Sequence, residues 1–152
     1  MVALNDIPII SDDHRRGISS TLVLLDEVLC RFERWAKNGT AKGPLYQERQ
    51  DLSEEQRLAI LDEIDSIRAA IADLRDELQL HRKVEGVATA IWFQCSWCWS
   101  LLVELESRRL KRYGELPAGF AAYFDPKVKV LIERMNAISE ITYQITRRQE
   151  TP

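Results

Sequence analysis

A chain of 152 residues with 45% apolar and 30% charged residues can bury a core without covalent staples, and it is too apolar to be disordered. Its formal charge of −3 gives no general attraction to nucleic acid, so no nucleic-acid partner is expected. The three cysteines are odd in number and lie in apolar, helix-patterned contexts, which excludes a secreted disulfide framework and favours a reducing compartment. The opening MVALNDIPIISDDH has neither the basic start nor the long apolar run of a signal peptide. The expected location is therefore cytoplasmic.

Residues 1–10 read as an extended lead-in, since Ile7-Pro8-Ile9-Ile10 is short and interrupted by proline. Ser11 offers an N-cap, and Asp12 and Asp13 set negative charge at the positive end of a helix dipole. Ile18, Leu22, Leu25, Leu29, Phe32 and Ala36 then recur in steps of three and four, and Lys37-Asn38-Gly39 supplies a stop. The first helix is expected over 12–37. The connection 40–52 is long for a helix–helix link; one short helical turn, or Leu45 and Tyr46 packed over the end of the core, would account for it.

Ser53-Glu54-Glu55-Gln56 has the form of a capping box. Ile60, Ile64, Ile67, Ile71, Leu74 and Leu78 follow in strict alternation of four and three, an a/d seam with a charged outer face. This predicts a second helix over 53–80. No glycine or proline separates it from the next pattern, so residues 80–83 allow either a continuous helix or a tight turn near His81. The change in apolar face favours the turn.

From Gly86 to Val103 the chain runs GVATAIWFQCSWCWSLLV, without one charge, and holds three of the four tryptophans. On a helical projection the apolar residues cover an arc of roughly 240°, leaving Thr89, Ser96 and Ser100 as a narrow polar strip. A helix that apolar needs cover on more than one side. Its length only touches the lower limit of a membrane span. Gln94, the hydroxyl residues, the flanking Glu85 and Glu104 and the lack of a second such run argue against one, so no membrane partner is expected. The helix is expected over 84–113, closing on the basic Arg108–Arg112 cluster and Gly114. Phe120, Tyr123 and Phe124 then read as an aromatic plug in a long connection. Asp125-Pro126 gives an N-cap followed by proline at the first helical position. Val128, Leu131, Met135, Ile138, Thr142 and Ile145 carry the last stripe, for a helix over 126–148 with a polar tail at 149–152.

Four helices of similar length imply an all-α fold, a four-helix bundle of antiparallel neighbours forming a single domain over 1–152. The excess apolar breadth of 86–103 fits either a central position or a subunit interface, and tryptophan enrichment tilts it to the interface of a homodimer.

Little in the sequence points to catalysis. Cys95-x-x-Cys98 falls in mid-helix, where both sulfurs point into the apolar arc and act as small hydrophobes. A thioredoxin-like site needs a strand feeding the helix, and a zinc site needs two more ligands. No metal and no cofactor is expected. His14, followed by Arg15 and Arg16 at a helix start, is a weak anion-site candidate opposed by Asp12 and Asp13. Glu77 and His81 share a helical face but lack the partner ligands of a dimetal bundle. Glu106 lies over the apolar arc beyond Leu102, where pairing to an arginine across the bundle is expected. The expected role is a non-enzymatic, homodimeric interaction or regulatory module, with room for a further protein partner. Alternatives are a bundle holding a small apolar molecule against Trp92, Trp97, Trp99 and Phe93, or thiol-redox or metal chemistry at Cys95 and Cys98.

Overall fold

The computed structural model describes residues 10–149, and these are all-helical with five helices rather than four. They are α1 (Asp12–Ala36), α2 (Glu54–Leu78), α3 (Val87–Val103), α4 (Ser107–Leu110) and α5 (Phe120–Gln149), with one 3-10 turn at Lys111–Tyr113. The chain divides after Lys83 into two compact units, one holding α1 and α2, the other α3 to α5. The lead-in expected over 1–10 and the tail at 149–152 lie, but for Ile10 and Gln149, outside the described residues.

The first unit is an antiparallel hairpin whose ends follow local chemistry. Ser11 Oγ accepts the His14 N–H at 3.2 Å. Ser53 and Gln56 form the reciprocal capping box, with bonds of 3.1 and 2.9 Å. At the end of α1, Asn38 rather than Gly39 takes the left-handed conformation, with φ 65°. The Asn38 N–H then reaches the Trp35 carbonyl at 3.0 Å and the Gly39 N–H the Arg34 carbonyl at 2.7 Å. This pair of bonds is a Schellman termination. Helix α2 stops in the same manner at Gln79, φ 54°, where the Leu80 N–H bonds the Arg75 carbonyl at 2.8 Å. Residues 80–83 are thus a connection and not continuous helix. Across the hairpin, Arg57 donates to the Ala36 carbonyl and Arg15 to the Leu78 carbonyl, tying both ends.

The connection between α1 and α2 is folded around Glu48. Its carboxylate accepts the Ala41 N–H at 2.9 Å and the Tyr46 hydroxyl at 3.0 Å, and lies 3.3 Å from Arg34. The Ala41 N–H foremost holds this carboxyl down at about 2, with the Tyr46 hydroxyl and Arg34 adding to it; the Trp35 indole also favours the charge without meeting hydrogen-bond geometry. An isolated antiparallel bridge joins Lys42 and Gln47. Leu45 and Tyr46 are exposed, not laid over a core, because the turn that places them is closed by these polar bonds.

In the second unit α3 and α5 run antiparallel, with the Trp92 ring tilted against Tyr143 at one end and Ser107 bonded to Asp125 at the other. Both helix limits differ from the sequence expectation here. Helix α3 ends at Val103 rather than continuing to 113. The Leu105 and Glu106 N–H groups tighten onto Leu102 and Val103, and Glu106 then turns extended. Asp125 is not an N-cap of the last helix. Helix α5 starts earlier, at Phe120, and runs through Pro126. The Phe120 and Phe124 rings, expected to plug a connection, stack one helical turn apart at 4.9 Å. Asp125 instead turns its carboxylate onto Ser107, accepting the backbone N–H at 2.9 Å and the hydroxyl at 2.7 Å. A tertiary contact thus sets both boundaries, overriding the local Asp-Pro start signal.

Each hydrophobic seam is split between two environments. Along α5, Val128 and Thr142 are buried and Met135 half-buried, while the alternate Leu131, Ile138 and Ile145 are exposed. Along α2, Ile64 is buried with Ile60 and Ile71 half-buried, while Ile67 and Leu74 are exposed. In α1, Leu29 and Ala36 are buried, but Leu25 and Phe32 are not. Steps of three and four set alternate seam residues about 50° apart around the axis. One set therefore points at the antiparallel neighbour and the other off to one side. In each hairpin the second set lies on a single flat side, as two helices of a larger bundle would show it. The opposite side of the first hairpin is polar, where Arg68 bridges Glu33 at 2.8 Å and Asp26 at 3.5 Å.

Candidate interface on the third and fifth helices

The most apolar surface lies on one side of the α3–α5 hairpin. Val87, Ile91 and Leu101 project from α3, and Leu131, Ile138 and Ile145 from α5, between 40% and 74% exposed. Between the two helices runs a groove of about 390 Å³, lined by Ile91, Cys95, Cys98, Met135 and Ile138, with Glu85 near its end. Its walls carry almost no polar surface because α3 contributes no charged side chain over its whole length. Apart from Glu85, the charge beside the groove runs along the outer edge of α5. There a helical projection sets Lys127, Arg134 and Arg148 beside the exposed isoleucines, with Glu133 and Glu140 on the far side.

Val128 on α5 and Cys95 on α3, both nearly fully buried, anchor the hairpin beneath this surface at different levels. The Thr142 hydroxyl, also buried, is satisfied by the Ile138 and Ser139 carbonyls of its own helix at 3.1 and 2.9 Å. At the far end, Ser107 holds the Asp125 carboxyl below its usual range, the hydroxyl contributing most and the N–H next.

The residues singled out from sequence do not converge on one site. Trp92 is half-buried against Tyr143 at 5.9 Å and Phe93 at 5.1 Å, on the side of α3 away from the groove. Trp99 lies on that same side, whereas Trp97 and Phe93, each 61% exposed, face outward from α5. None of the four lines the groove. Glu106 pairs with Arg108, two residues along, and not with an arginine across the helices. His14 is an exposed cap residue whose Nδ1 meets Ser11 Oγ at 2.8 Å. The neighbouring Arg15 and Arg16 are paired to Asp12 and Asp13.

Cys95 is buried, Cys98 half-buried and Cys30 exposed, all as free thiols. Among the described residues no group of three or more His, Cys, Asp or Glu could hold a metal ion. Among the described residues no helix is long and apolar enough to cross a membrane. The groove residues on α5 went unrecognised in the sequence because their seam reads as core. The signal that could have found them is the width of α3, too apolar to be satisfied by one neighbour. Comparison with protein-family models, curated proteins and solved structures finds no match to this chain.

Proposed function

We propose that this chain is a non-enzymatic helical interaction module that works as a homodimer, the two copies completing one another's half-filled helix seams. The observation that carries it is the alternation of buried and exposed residues along each seam, seen most regularly at Val128, Leu131, Met135, Ile138, Thr142 and Ile145. Exposed apolar patches of this extent on a polar-rimmed surface mark association sites. On this reading the four-helix arrangement expected from the sequence arises where two hairpins meet. Dimerisation would also shield the thiol of Cys98, which fits the cytoplasmic setting inferred from the cysteines.

Gel filtration with light scattering tests this directly. The expected mass is twice 17.6 kDa at micromolar concentration. A stable monomer at those concentrations overturns the proposal.

A further inference from the structure

The geometry points to a particular pairing: two copies join through the α3–α5 face about a twofold axis parallel to the helices, with α3 of each copy seated on α5 of the other. This rests on the homodimer proposed above and specifies its surface and register.

Area, register and charge support it. The six exposed side chains named on this face present on the order of 500 Å² per copy, so pairing would remove about 1,000 Å², the size a biological interface has to clear. The contact of Trp92 with Tyr143 fixes the levels of the two helices within one hairpin. Rotation about an axis parallel to them preserves those levels, so Ile91 would meet the partner's Ile145 and Cys98 the partner's Ile138, with Leu101 set between the levels of the partner's Ile138 and the partner's Leu131. Successive apolar layers result, with neighbouring helices all antiparallel.

Charge selects this arrangement over its rival. A twofold axis across the helices would instead lay α5 on the partner's α5. The edge carrying Lys127, Arg134 and Arg148 would then run along its own copy, like charge against like charge. With α3 on α5 the basic edge meets a helix without charge, and Glu85, just ahead of α3, comes level with the partner's Arg148.

A spin label at Ala122→Cys distinguishes the alternatives, placed in a background of Cys30→Ser and Cys98→Ala. Ala122 sits near the start of α5 and is exposed. With the axis parallel to the helices both labels lie at the same end, about 20–30 Å apart; with the axis across them, they lie at opposite ends, roughly 50 Å apart. A short distance, with a dimer lost in Ile138→Glu, is the expected result. A dimer with the long distance, or one that survives Ile138→Glu, overturns this pairing while leaving the homodimer standing. A monomeric wild-type chain overturns both.

Discussion

Ser107 and Asp125 meet twice: one carboxylate accepts both the serine N–H and its hydroxyl, at 2.9 and 2.7 Å. That contact stops α3 short of its basic end, fixes α4 and commits Asp125 to a neighbour rather than to capping its own helix. It also carries a pH signature. Because Ser107 lowers the Asp125 pKa from an ordinary value of 3.8, the stabilisation is complete above that value and is lost as pH falls through the lower folded value. Asp125→Asn should lower Tm at pH 7 by a few degrees, on the order of 2–4 °C. The gap to wild type should narrow below pH 4. Thermal melts across that range check this, and a gap independent of pH would contradict it.

Glu48 makes a second, independent acid-sensitive clasp. Its pKa falls from an ordinary 4.5 to about 2, so its contribution is present above pH 4.5 and fades between there and pH 2. Glu48→Gln should destabilise the first hairpin at pH 7 and match wild type near pH 2. Amide exchange at Ala41 measured at both pH values reports it locally, and unchanged exchange at pH 7 would count against the clasp.

The end of α1 tolerates no side chain at residue 39. A Cβ added to Gly39 would stand 2.5 Å from Arg34 Cγ and 2.8 Å from the Arg34 carbonyl oxygen. The first can swing away, but the second is helix backbone and already bonded to the Gly39 N–H. Gly39→Ala should cost about 1–2 kcal/mol, measured by urea unfolding, because the Schellman bonds must open.

Core truncation should separate the two halves of a seam. Ile64→Ala, at 2% exposure, should cost about 2–5 kcal/mol by cavity formation. In α5, truncating Val128 should lower the stability of the hairpin itself. Truncating Leu131 should instead act through assembly, so that its cost grows with protein concentration. Unfolding curves at two concentrations tell these apart.

Much of the fold was legible where its causes are local. The Ser11 and Ser53 caps, the stop after Ala36 and the helical period of every long element depend on residues within a turn of one another. The C-terminal end of α3 and the start of α5 were not legible, because they depend on Ser107 finding Asp125 eighteen positions away. A strong local signal, Asp125-Pro126, gave way to that contact. The candidate interface was half legible. The breadth of the charge-free helix announced a second covered surface, and its tryptophans drew attention to it. Yet a seam with steps of three and four reads the same whether its alternate residues meet one neighbour or two. Leu131, Ile138 and Ile145 therefore passed as core, and only the placement of α5 against α3 separates them from Val128, Met135 and Thr142.

Sedimentation equilibrium of the intact chain beside Ile138→Glu over the micromolar range tests the central claim most directly. The account predicts a wild-type dimer and a variant that stays helical by circular dichroism but sediments at 17.6 kDa. A monomeric wild type, or a variant that dimerises as tightly as wild type, would contradict it.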